Sequence, residues 1–429
     1  MMLKVNHYKY LFILTALFFC TYDKVVAQNL FAYKINNKWG LYNNLGEKKI
    51  SITKDYYNIL EFKDGMALFQ NTEWMQYFGY INEKGEEVIA PKYLWKYYFK
   101  DGIARVYLDK YGFIDKKDNT IIDFKYDIAH DFHEGLTVVE LNEKYGFIDT
   151  KDNIIIPLKY EYANDFNEGL AAVKLNGKWG FINKKGIAIT EFKYKTVIEF
   201  SEGMAMVMAD DGIGYVDKSG NEVVNTNHET GSQKFENGLA MVSKDKKMGF
   251  VDKTGKIVID LKYDDVGIFK DGLIPVAQNK KYGFVNKQGK IIIDLKYDRV
   301  GYFTENLAIM TLNGKSGYID TTGKIIIPLM YDGCGDFKNN IAPVYLNKKW
   351  GYIDKTGKKI IEIKYTDISY FSEGLACVKL NEQWGYIDVY DKLIIPFGYE
   401  KAASFVNGIA KVTKDGTDIY INKKGKKLD

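Results

Sequence analysis

Gly169-Leu170-Ala171-Ala172-Val173-Lys174-Leu175-Asn176-Gly177-Lys178-Trp179-Gly180-Phe181-Ile182-Asn183 decides the fold, because the chain rewrites this stretch along almost its whole length. With the glycine after the aromatic as the mark, copies fall at Gly40, Gly79, Gly112, Gly146, Gly180, Gly214, Gly249, Gly283, Gly317, Gly351 and Gly385. The spacing is 34 residues except for early intervals of 39 and 33 and one of 35. A twelfth copy closes the series with Ile419 in the glycine slot. A fixed period of this size marks a repeat architecture, in which each unit is too small to bury its apolar face without a neighbour.

Each unit is predicted to contain three short strands, exemplified by residues 169–175, 178–183 and 154–160. All three are rich in β-branched and aromatic residues and bounded by turn formers. Asn176-Gly177 and Asn313-Gly314 are hairpin signals, since both residues tolerate positive φ. A second turn opens with Asp or Asn three residues past the marker and carries Gly three further on, except at Asp118, Asp152 and Asp391. A side-chain oxygen there can accept the following amides. Along the second strand Trp179, Phe181 and Asn183 point one way, and Gly180 and Ile182 the other. Both faces are apolar, so neighbouring units must cover them. The glycine is expected to admit the adjacent unit closely. Tyrosines such as Tyr160 and Tyr365, and phenylalanines such as Phe166 and Phe371, recur in register and fit the same stacking. The expected fold is all-β: a tandem array of about twelve three-stranded antiparallel meanders of about 34 residues, stacked as an open, superhelical solenoid, with a β-propeller as the alternative.

Residues 1–27 read as an export signal and 28–429 as the array. Lys4 and Lys9 precede a short apolar stretch, and Ala27 is a small residue at the cut. Cys20 raises lipid anchoring, against which bulky Phe19 argues. The expected location is periplasmic, cell-surface or extracellular, with no transmembrane segment in the mature chain. A net charge of +4 with interleaved signs gives no basic stripe for nucleic acid. Cys334 and Cys377 occupy different repeat positions, which argues against a disulfide framework.

Lys38-Trp39-Gly40, Lys178-Trp179-Gly180-Phe181-Ile182-Asn183, Lys349-Trp350-Gly351-Tyr352-Ile353-Asp354 and Trp384-Gly385-Tyr386-Ile387-Asp388 resemble the WG, or KWG, repeat family. Gly112, Gly146 and Gly283 hold the same slot with tyrosine in place of tryptophan. The resemblance runs from Leu30 to about Gly425. It implies a bacterial, often secreted or surface-associated β-repeat scaffold without a known catalytic site.

Little else carries chemistry. Nucleophile elbows, phosphate loops and zinc-binding helices are missing from the sequence. His130-Asp131-Phe132-His133 is the one local cluster suited to a metal, and it lacks a third ligand at recognisable spacing. The acids of the second turn read as turn caps rather than calcium ligands, since a turn such as Asp354-Lys355-Thr356-Gly357 offers one carboxylate next to a lysine and the position is often asparagine. No catalytic residue, metal or cofactor is therefore expected. The candidate ligand-binding residues are Trp74, Tyr77, Trp95 and Tyr97, where the period breaks and repeat packing does not demand large rings. A cap over the end of the array is the other reading of that cluster. The expected function is an exported, non-catalytic module that binds or scaffolds a protein partner, with cell-wall or other glycan as the alternative ligand. The two differ in whether the rings flanking each glycine are buried or form an exposed line.

Overall fold

The computed structural model describes residues 30–35, 37–72 and 77–428, without the side chains of Asn225 and Thr226. The expected signal, residues 1–27, and Trp74 lie outside the described residues. Every regular element described is a strand. In the fourth unit Leu136–Leu141, Lys144–Asp149 and Ile154–Tyr160 are the three anticipated strands, in that order and antiparallel. A leading strand of two residues, Ile128–Ala129, pairs ahead of them. Seven of the described sheets share this four-stranded order. Two residues are too few to write an alternation, which is why the leading strand has no signature of its own.

The core lies between units. Leu136, Val138, Phe147 and Ile156 of the fourth unit pack on Ala171, Val173 and Ile182 of the fifth. The fifth presents Leu170, Ala172 and Phe181 to Val207, Val216 and Phe200 of the sixth. Each sheet therefore has a forward and a backward apolar face, as the strand alternation requires. The ring after the glycine meets a phenylalanine 19 residues on, or 20 in the sixth unit (Tyr215 and Phe235), with centroids 4.8 Å apart for Phe147 and Phe166 and 5.0 Å for Tyr352 and Phe371. Where that ring is tyrosine, its hydroxyl also holds the segment after the leading strand: Tyr352 donates to the Ser369 carbonyl and Tyr386 to the Ala403 carbonyl.

The marker glycine has a different neighbour from the one expected. A Cβ on Gly146 would lie 2.6 Å from the Ile156 carbonyl oxygen and 2.8 Å from the Leu158 nitrogen, backbone of its own unit rather than the next. The cause is a bulge. Strand pairing passes from Tyr145–Tyr160 to Phe147–Ile156, so surplus residues of the third strand fold across the glycine.

The stack curves until the last unit reaches the first. Tyr33 and Tyr42 form a small cluster with Ile409, Tyr420 and Leu428. The Tyr33 hydroxyl donates to the Val406 carbonyl at 3.3 Å. The first unit uses its backward face and the twelfth its forward face, as at every internal junction.

Candidate functional site

Most polar side chains of the repeat are occupied in holding it together. Asp354 Oδ1 accepts the Thr356 amide at 2.9 Å, the Thr356 hydroxyl at 2.6 Å and the Lys358 amide at 3.0 Å. Asp115 likewise accepts from the Asn119 side chain and from backbone amides, which holds its carboxyl below the usual value. The Asp residues in the glycine slot tie units together. Asp152 accepts the Tyr126 hydroxyl at 2.7 Å and pairs with Lys125, and Asp391 does the same with Tyr365 and Lys364.

A further tie is marked in the sequence by a glutamate that recurs at the head of the first strand, as Glu134, Glu168, Glu202, Glu305 and Glu373. Glu168, at φ 52°, accepts the Gly203 amide of the next unit at 2.9 Å and pairs with Lys218 at 3.0 Å. Glu202 and Glu373 repeat the arrangement with Gly238 and Lys253, and with Gly408 and Lys423. Burial opposes ionisation of Glu168, but Lys218 and the Gly203 amide outweigh it and lower its pKa.

His130 and His133 both approach Asp165 of the fifth unit, at 2.9 and 3.7 Å. Among the described residues, no group of three or more His, Cys, Asp or Glu side chains is arranged to hold a metal ion. His228 fills a slot held by tyrosine elsewhere; burial and Lys244 lower its pKa.

The structure divides the candidate ligand-binding residues. Tyr77 and Trp95 are 43% and 52% exposed, and Tyr77 pairs across the strands with Leu94, next to Trp95. Trp95 sits at φ 69°, a left-handed conformation that a bulky side chain rarely adopts. It lies where Leu94 pairs with Tyr107, joining the second and third units into one seven-stranded sheet. That place is not an end of the array, so the capping role has no end face there to cover. Tyr97 does not join the exposed pair. Its hydroxyl is 2.9 Å from that of Tyr111, and its ring lies under Arg105 at 4.3 Å.

Arg105 is the residue that sequence reasoning missed. It stands opposite Phe113, in the slot filled by Val138, Ala172, Met206 and Ile309 in other units. Its side chain is 17% exposed and Asp131 lies 3.4 Å from its Nε. A terminal nitrogen donates to the Ala129 carbonyl of the fourth unit. A cavity of about 470 Å³ opens beside it, lined also by Tyr98, Lys100, Asp101, Phe113 and Phe132. The available signal was an arginine, one of two in the chain, at an inward position of a first strand.

The WG containing repeat family matches at residues 78–110, 111–145, 145–179, 179–212, 248–282, 282–315, 317–350, 350–384 and 384–417. No curated protein matches the chain. Among solved structures, a eukaryotic initiation factor aligns over 78% of this chain and 95% of its own, at 12% identity and a TM-score of 0.35. Hsv2p of Kluyveromyces lactis aligns over 53% and 92%, at 12% identity and a TM-score of 0.29. Likeness at that level assigns no function. No helix among the described residues is long and apolar enough to cross a membrane.

Proposed function

This chain belongs to the WG containing repeat family, and from that premise we propose that it is an exported, non-catalytic scaffold that binds a protein partner. One observation carries the reading. The ring after each glycine is core, as Phe147, Phe181, Tyr352 and Tyr386 illustrate, and the ring before it is buried at Trp39 and half-buried at Trp179, Trp350 and Trp384. The aromatic periodicity is thus consumed by packing and leaves no continuous line of faces on which a glycan chain could stack. What varies along the surface is the residue just before the repeated phenylalanine: Asp131, Asp165, Ile268, Tyr302, Asp336 and Tyr370. Ile268, Tyr302 and Tyr370 are exposed apolar or aromatic groups, the type that anchors protein interfaces.

Photo-crosslinkers placed at residues 268 and 336 of the mature protein, whose backbone amides bond the Tyr302 and Tyr370 hydroxyls, test this on native surface extract. The expected result is one defined protein at both sites, lost when Tyr302 and Tyr370 are replaced by lysine. Crosslinks unchanged by those replacements, or binding confined to a glycan array, would overturn it.

A further inference from the structure

We propose that the cavity between the third and fourth units is a binding site for a neutral sugar residue of hexose size. The inference is independent of the protein-binding reading and starts from Arg105. The position opposite the ring after the glycine is apolar from unit to unit: Leu68, Val138, Met206, Pro275 and Ile309 occupy it. The other charged occupant is Lys411, which is half exposed in the last unit. Repeat packing asks for a hydrocarbon, and a largely buried guanidinium is unfavourable there unless something compensates it.

The compensation is partial. Arg105 donates to the Ala129 carbonyl and lies over the Tyr97 ring, which is fixed by Tyr111. Asp131 is within ion-pair range of Nε at 3.4 Å, yet Nε makes no hydrogen bond. The guanidinium is therefore fixed in place without being fully satisfied, and it borders a cavity of about 470 Å³. That volume lies within the range of small-ligand sites, about 300–1,000 Å³.

The lining selects the ligand class. Phe132 and Tyr98 supply ring surface, with Phe113 buried behind Phe132, while Arg105 and Lys100 are donors and Asp101 and Asp131 are acceptors. Glu134, also on the wall, is engaged by the Gly169 amide and Lys184. Three carboxylates against two cations disfavour an anion, and the two cations disfavour a cationic ligand. Hydroxyl groups both donate and accept, so several of them around an apolar ring face match this wall. A gap of about 480 Å³ between the seventh and eighth units has Met241 in the arginine slot beside Ile268 and Phe269. The inter-unit gap is thus recurrent, and the guanidinium–carboxylate pair distinguishes the copy at the third unit.

Saturation-transfer NMR on the mature chain, with the methyl glycosides of glucose, galactose, mannose and N-acetylglucosamine, tests the site. Methyl glucuronide is the anionic control. At least one neutral glycoside should bind, and both Arg105→Met and Asp131→Asn should weaken it tenfold or more. Arg105→Met copies the side chain of Met206 and should melt no lower than the parent; should it fail to fold, Asp131→Asn and the parent titration still decide. Lack of transfer to every neutral glycoside, tighter binding of the glucuronide, or unchanged affinity in Asp131→Asn would overturn the proposal.

Discussion

Gly283→Ala is expected to destabilise the protein by about 2 kcal/mol, although alanine is the better strand residue. Glycine in a strand interior is ordinarily worse than alanine by roughly 0.5–1 kcal/mol, so the intrinsic effect favours the variant. The site reverses the sign. A Cβ on Gly283 would lie 2.3 Å from the Ile293 carbonyl oxygen and 2.7 Å from the Asp294 carbonyl carbon. Both atoms are backbone of the bulged third strand, which is held on either side by the pairs Tyr282–Tyr297 and Phe284–Ile293. No side-chain rotation relieves that overlap, so the strand itself must shift. Overpacking costs about 1–3 kcal/mol, and rigid neighbours place this case near the top of that range. Gly333→Ala is the matched control. Its Cβ would meet Tyr345 Cβ at 3.6 Å, an ordinary contact, and its φ is not left-handed. It should stabilise by roughly 0.4–1 kcal/mol by restricting the unfolded chain. Urea midpoints give the two signs. Amide exchange across the eighth unit localises the first, since stacked repeats need not unfold together. A Gly283→Ala midpoint at or above the parent, or shifts of the same sign in both variants, would refute the bulge argument.

Trp95→Gly should raise the melting temperature, because a left-handed φ costs a non-glycine residue about 1–3 kcal/mol and the half-exposed ring loses little packing; a lower melting temperature would show that the ring packs more than its exposure suggests. Asp115 and Asp149 have carboxyls held low first by Asn119 and Asn153 and then by backbone amides. Because the folded values are depressed, their stabilisation is complete above the ordinary value of 3.8 and is lost as pH falls from there through the folded values. Urea midpoints measured down the pH scale should therefore begin to fall near 3.8, and a midpoint flat through that window would contradict the assignment. Replacing Tyr33 and Tyr420 together by alanine removes two rings 6.3 Å apart at the meeting of first and last units. Fluorescence transfer between labels on the two end units should drop; unchanged transfer would show that the contact does not depend on those rings.

Much of this architecture was legible beforehand. The apolar alternation placed Phe181 and Ile182 on opposite faces, and the packing places them against the sixth and fourth units respectively. The Asp caps of the second turn were equally readable, because the oxygen and the amides it accepts lie within four residues of each other. Trp95 was readable as a break in the period but not as a residue at positive φ. Arg105 was overlooked because the slot it violates is defined by its partner across the hairpin, and the hairpin of the third unit is shifted relative to the others.

The sequence by itself determined the unit, its strand directions and the need for neighbours, since a period-two pattern repeated every 34 residues states which face of each strand is apolar. Tertiary structure decided what depends on curvature and on contacts between distant residues. The bulge over Gly146 depends on where two strands fall out of step. The tie from Glu168 to Gly203 joins residues 35 apart through a backbone amide, so the recurrent glutamate is visible in the sequence but its partner is not. The approach of Tyr33 to Val406, 373 residues away, is the sum of small rotations at every junction. A local pattern fixes the sign of each rotation but not the angle at which the accumulated turn brings the last face onto the first.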